Sequence, residues 1–153
     1  MVSILYQDED VIAIHKPAGM PMHPDRFHAG DTLADFLVTH FPEVKNIGDT
    51  SALPYQGYRA GIVHRLDKDT SGIMVVARTQ KAFEFLKKQF QERKIKKEYI
   101  VLVAGKVKQK DGVIDLSIGR SKRDPTLRIA KGLMRGKIRE ALTEYRAKEY
   151  FSS

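Results

Sequence analysis

Gly61-Ile62-Val63-His64-Arg65-Leu66-Asp67-Lys68-Asp69-Thr70-Ser71-Gly72-Ile73-Met74-Val75-Val76-Ala77-Arg78 places a charged loop between two apolar flanks. Gly61–His64 predicts a brief strand. Ile73–Arg78 predicts a buried one, because the run is short and continuous and Val75 and Val76 are β-branched. Between them, His64 to Gly72 holds four charged residues and a His. Core-facing strands do not need that chemistry, and a charged loop between rigid strands is a frequent position for a reactive site. Oppositely charged neighbours favour the ionised form of a carboxylate. An ionised Asp held near cations can act as a nucleophile or a base. A solvated turn with local ion pairs accounts for the same residues.

Upstream, Val2–Tyr6 and Val11–His15 are apolar runs split by Gln7-Asp8-Glu9-Asp10, the pattern of a two-stranded hairpin. Lys16 to Gly30 contains Pro17, Gly19, Pro21 and Pro24 and reads as a structured loop. Asp31 is the expected N-cap of a helix carrying Leu33, Phe36, Leu37 and Phe41, which Pro42 ends. Glu43–Arg59 has no period and reads as a long, mobile surface loop. Downstream, Thr79 caps a second helix with Phe83, Leu86 and Phe90 on one stripe. Glu98–Ala104, Val113–Ile118 and Ala141–Lys148 are further strand candidates, the last with a period of two. Strands outnumber helices and several lack helical crossovers. The expected class is therefore α+β, with a mainly antiparallel or mixed sheet and flanking helices.

The 153 residues fit one domain, and 42 % of them are hydrophobic. Lys plus Arg number 27 against 19 Asp plus Glu, a formal net charge of +8, which favours an anionic partner such as nucleic acid. A basic protein without such a partner has the same balance. The absence of Cys excludes disulfides and thiolate zinc sites. Met1 to Lys16 lacks the signal-peptide pattern, and no apolar run approaches a membrane span, so a cytoplasmic location is expected.

Several chemistries can be set aside. Asp67-x-Asp69-x-Ser71-Gly72 resembles the start of a calcium loop, but the twelfth position, which needs a bidentate Glu, is Arg78. There is no phosphate-binding P-loop motif. His15, His23, His28, His40 and His64 show no zinc-ligand spacing, and His23 and His28 are better assigned to loop hydrogen bonding. A nuclease or phosphotransferase would need clustered carboxylates for a metal pair.

His64-Arg65-Leu66-Asp67-Lys68-Asp69-Thr70-Ser71-Gly72 resembles the signature of the RluA-type pseudouridine synthases. Three further stretches agree in order. His15-Lys16-Pro17-Ala18-Gly19-Met20-Pro21-Met22-His23-Pro24 is similar to the family's Lys-Pro-x-Gly loop. Lys97-Glu98-Tyr99 is similar to its Lys-x-Tyr element, and Ala141-Leu142-Thr143-Glu144-Tyr145 to a later strand. The resemblance implies conversion of uridine in ribosomal or transfer RNA to pseudouridine, without cofactor or metal. It implies that Asp67 is the catalytic carboxylate, attacking a substrate carbon or removing a ribose proton. Arg65 would enter the RNA stack and hold the displaced nucleotide out, and Tyr99 would lie against the target uracil. Lys16 and Lys97 are candidate phosphate contacts, with a solvated role equally open. Flipping a nucleotide costs a few kcal/mol. A flat Arg cation suits the vacated space, and a stacked aromatic ring contributes roughly 1–3 kcal/mol.

Lys108 to Arg139 has ten cations against Asp111, Asp115 and Asp124, and is interrupted by Gly119, Pro125, Gly132 and Gly136. It reads as a loop-rich, phosphate-gripping insert at about 106–139, with salt-sensitive binding. A solvated charged hairpin is the alternative. The family's later Thr-Gly-Arg-Thr-His-Gln-Ile-Arg run, whose Arg pairs with the catalytic Asp, is missing. Residues 1–153 are therefore expected to form a catalytic domain incomplete at its C-terminus, with little or no turnover alone. The sheet edge so exposed would invite self-association. A non-catalytic RNA-binding module is the rival reading. Asp67 argues against it, because a carboxylate facing phosphates repels them.

Overall fold

A computed structural model describes residues 1–24, 30–49 and 58–151. The chain divides into two compact units, Met1–Glu98 and Tyr99–Ser153. The first begins with strands β1 (Ser3–Gln7) and β2 (Val11–Lys16), followed by helix α1 (Leu33–His40) and a short 3-10 helix, Pro42–Asn46. Strand β3 (Gly72–Ala77) and helix α2 (Gln80–Gln91) complete it. The three strands pair antiparallel in the order β1-β2-β3, with Val11 opposite Ala77 and Lys16 opposite Gly72.

The turn between β1 and β2 is built by Asp8, whose carboxylate accepts the N–H groups of Asp10 and Val11. That is the local bonding that makes Asp a turn residue. Along β2 the buried positions alternate as Ile12, Ile14 and Lys16. Ile12 and Ile14 meet Met74 and Val76 of β3, Leu33 and Leu37 of α1, and Val44, Ile62 and Leu66. Full burial of each such side chain contributes roughly 1.5–3 kcal/mol. Phe83 and Ala82 of α2 pack with Ala77 in a second cluster, with Leu86 half-buried beside them.

The hairpin, β3 and the Thr79 cap stand where the sequence places them, with Thr79 Oγ1 accepting the N–H of Ala82. Four expectations change. The α1 cap is Thr32 rather than Asp31. Thr32 Oγ1 accepts the N–H of Asp35, and Asp35 accepts the N–H of Thr32, a reciprocal pair that Asp31 cannot make. Glu43–Arg59 is not all loop. Pro42 starts a helical turn that puts Val44 wholly inside, and Gly61 N–H reaches the Ile47 carbonyl. The rest of that stretch, 50–57, lies outside the described residues. Gly61–His64 forms a single bridge, Ile62 to Val76, rather than a strand. Gly61 itself takes φ +68°, and a Cβ there would strike the Ala77 carbonyl.

The fourth change opens the second unit. Glu98–Ala104, expected as a strand, joins no ladder among the described residues, and Ile100 and Leu102 are 86 % and 84 % exposed. Strand propensity is realised only against a partner edge, and none lies beside this run among the described residues. The remainder is less loop-rich than its glycines suggest. Strands β4 (Asp111–Asp115) and β8 (Leu142–Arg146) pair antiparallel. Strands β5 (Ile118–Ser121), β6 (Arg128–Ile129) and β7 (Met134–Arg139) form a second sheet in the order β6-β5-β7. The fold is α+β with antiparallel sheets, as the sequence indicates. Among the described residues no helix is long and apolar enough to cross a membrane.

Candidate active site

The charged loop between Ile62 and β3 is fastened at three points. Leu66 is buried in the core and fixes the backbone just before Asp67. Thr70 N–H donates to the Asp67 carbonyl at 3.1 Å, closing a turn over Asp67–Thr70. The Lys68 carbonyl, at the crest of that turn, accepts two bonds from the loop after β2. One comes from Lys16 Nζ at 3.0 Å and the other from Gly19 N–H at 2.9 Å. Gly19 adopts φ +83°, a left-handed conformation that glycine reaches without steric cost. Asp67 itself is exposed. A carboxylate is thus presented to solvent from a turn whose backbone is held on both sides.

Lys16 departs from its expected place. Its exposure is 0 %, and Nζ donates to the carbonyls of Pro17, Met20 and Lys68 at 3.0, 2.9 and 3.0 Å. All three ammonium donors are engaged, so nothing is left to offer a phosphate, and the reading of Lys16 as an RNA contact gives way. Burial pushes its pKa down, while the negative charges of Asp69 and Asp67 pull it back up. Lys16 is therefore a buried cation within electrostatic reach of both carboxylates.

His23 lies in the loop after β2. Burial and the positive charges of Arg59 and Arg65 lower its pKa, against a bond to the Tyr58 backbone and the charge of Asp35. The expectation that His23 serves loop hydrogen bonding agrees with that backbone bond. Asp35 gathers the loop end further: it accepts from the Thr32 hydroxyl at 2.6 Å and from the Tyr58 hydroxyl. The Asp35 bond and burial push Tyr58 up to about 12. Leu33 and Ala34 N–H donate to the carbonyls of Pro21 and Met22, tying this loop to the first turn of α1. Arg65 is exposed on the charged loop, and Lys97 lies exposed near the end of the first unit. Tyr99 belongs to the second unit and is 58 % exposed.

His64 carries a role that sequence reasoning missed. Its ring stacks on Phe90 of α2, centroids 4.5 Å apart. Its Nε2 accepts the N–H of Val75 at 3.2 Å, so the ring is neutral with its proton on Nδ1. Burial, assisted by the Lys97 charge, lowers its pKa to about 4. The imidazole thus occupies a ladder position beside the Ile62–Val76 bridge of β3. Among the described residues no three His, Asp or Glu side chains come together as metal ligands would.

The sequence model of the RNA pseudouridylate synthase family matches residues 10–151. This chain belongs to that family. An uncharacterized RNA pseudouridine synthase of Aquifex aeolicus is 41 % identical over 144 residues, covering 94 % of this chain and 42 % of the relative. The ribosomal large subunit pseudouridine synthase D of Nitrosomonas europaea is 40 % identical over 152 residues, covering 99 % of this chain and 40 % of the relative. The chain thus spans about two fifths of the length of these relatives. In fold it is similar to human RNA pseudouridylate synthase domain containing 1, with a TM-score of 0.69 over 94 % of this chain and 51 % of the other, at 24 % identity.

Proposed function

We propose that this chain supplies the catalytic carboxylate of an RNA pseudouridine synthase, and that the carboxylate is Asp67. One observation carries the assignment: an exposed Asp follows a buried Leu66 on a turn whose Lys68 carbonyl is held by Lys16 and Gly19. A reactive group needs that kind of support from rigid neighbours. In the reaction the N1–C1′ bond of uridine breaks, the uracil turns, and a C5–C1′ bond forms. The C5 proton leaves and N1 gains one. Asp67 serves as nucleophile toward the sugar or as base for a ribose proton.

The target nucleotide must leave its stack, at a cost of a few kcal/mol. Arg65, exposed on the same loop, enters the vacated space as a flat cation. Tyr99 lies against the uracil, and Lys97 takes a phosphate. Lys16 is a positioning residue: its ammonium holds the turn and places a positive charge behind Asp67. Ribosomal RNA is the preferred substrate class, from the printed names of relatives such as the Nitrosomonas europaea enzyme, with transfer RNA the alternative. The work is done in the cytoplasm, where such RNA is found. Among the described residues the two-stranded pair β4-β8 has no third strand, and Leu142 is exposed on it; that edge is the route for self-association.

The test is to map pseudouridines in cells whose gene carries Asp67→Asn. Loss of one or a few defined sites is expected. Survival of every site would overturn the assignment.

A further inference from the structure

In β5, Arg120 faces Arg128 of β6 on one side and Arg135 of β7 on the other. Residues directly opposite in an antiparallel pair share a face, so three guanidiniums stand in one row across the sheet. All three side chains are exposed. Arg139, opposite Ile118, extends the row toward the end of β7. The alternate β5 positions, Gly119 and Ser121, are buried, and their partners Ile129 and Met134 are half-buried. One face is packed and the other is cationic.

Like charges directly opposite one another destabilise a sheet. None of the three arginines makes an ion pair among the described residues. The bond shown for the row is Arg120 Nη1 to the Pro125 carbonyl at 3.1 Å. The nearest acid in sequence, Asp124, is committed elsewhere, accepting the N–H and hydroxyl of Thr126 at 2.9 and 2.6 Å. The repulsion is left uncompensated within the unit, and an external polyanion would relieve it. The outer Cα atoms are about 10 Å apart by ordinary strand spacing. A duplex strand offers a charge roughly every 3.4 Å of axis, so the row spans successive phosphates of one strand. Guanidinium forks suit phosphate oxygens better than point charges do.

We propose that the row Arg128–Arg120–Arg135 is a phosphate-binding surface that grips the RNA backbone without reading its sequence. It rests on the RNA-modifying role proposed above and adds to it a surface outside the loop that bears Asp67.

The test is Arg120→Gln/Arg128→Gln/Arg135→Gln, compared with Lys45→Gln/Lys81→Gln/Lys88→Gln, which removes the same charge elsewhere. Binding to a uridine-containing stem–loop RNA is measured across salt concentrations, with thermal melting alongside. The arginine triple should reduce the slope of log K against log salt by about two to three, for stem–loops of any sequence. Its melting temperature should stay level or rise. The lysine triple should alter the slope by much less. Equal slopes for wild type and arginine triple, an equal fall in both triples, or a fall in the arginine triple's melting temperature would each overturn the row. Wild type that binds no RNA would instead defeat the underlying role.

Discussion

Two regions treat positive charge in opposite ways. In the first unit, Lys16 is shut away from water and surrounded by three carbonyl oxygens. In the second, Arg120, Arg128 and Arg135 stand in water and face one another. The chemistry of the side chains does not explain the difference; their acceptors do. A buried ammonium persists only where every donor is answered, and Lys16 then becomes part of the scaffold. The arginines of the row make no ion pair among the described residues, and apart from the bond of Arg120 Nη1 to the Pro125 carbonyl their donor forks are left for another molecule. Cations that serve folding and cations that serve binding are thus distinguished by what is already bonded to them.

That contrast can be broken or sharpened by substitution. The largest effect belongs to Asp67→Asn, which should lower pseudouridine formation at the affected sites in cells by on the order of 10³-fold or more while leaving the urea midpoint of this chain unchanged. A lowered midpoint would make Asp67 a scaffold residue. Lys16→Met should come next, destabilising the fold by about 2–4 kcal/mol in urea unfolding, since it strands buried carbonyls. If Lys16→Met melts like wild type, the buried cation is not structural and the contrast with the arginine row collapses. Thr79→Ala, which removes the α2 cap, should cost about 1 kcal/mol by the same assay.

His64 gives a pH-dependent effect. In the unfolded chain its ring titrates near 6.5, and in the fold at about 4. Between those values the unfolded chain binds a proton that the folded ring refuses, so stability should fall as pH drops through that window and level off below it. His64→Gln should flatten that part of the profile. A wild-type profile already flat between pH 6.5 and 4 would show that burial does not hold the His64 ring neutral. The smallest effect is expected at Arg78→Ala. It removes a partly exposed pair with Glu43 and a bond to the Asp8 carbonyl, and should cost about 1 kcal/mol.

Much of the first unit was legible because its signals are local. The apolar runs of β1, β2 and β3 and the Thr79 cap need only neighbours in sequence to be read. The nine-residue loop was legible as chemistry, since four charges between apolar strands have no core use. Lys16 was misread although a signal was present: the period of two that buries Ile12 and Ile14 runs on to Lys16. A Lys at the end of an alternating run looks like the start of the following loop, and only the three distant and local carbonyls decide otherwise. Thr32 displaced Asp31 because capping depends on reciprocity with Asp35, a geometric condition that composition does not state. Tyr99–Val103 failed for another reason. Its residues favour a strand, but pairing is a property of two segments, and one segment cannot disclose whether the other is there. The arginine row was visible only as a surplus of charge until the register of β5 against β6 and β7 aligned it.

The Lys68 carbonyl joins Lys16 to a residue 52 positions away in sequence. Closing a loop of that length costs entropy before any contact repays it, and long-range closures tend to come late in folding. The Asp67 turn should therefore mature after the β1-β2 hairpin, and should be among the earlier parts of the first unit to open again. The Gly19 amide, bonded to that carbonyl, is a natural clock for the event. Its hydrogen-exchange rate would report how often the turn opens while the rest of the sheet remains shut.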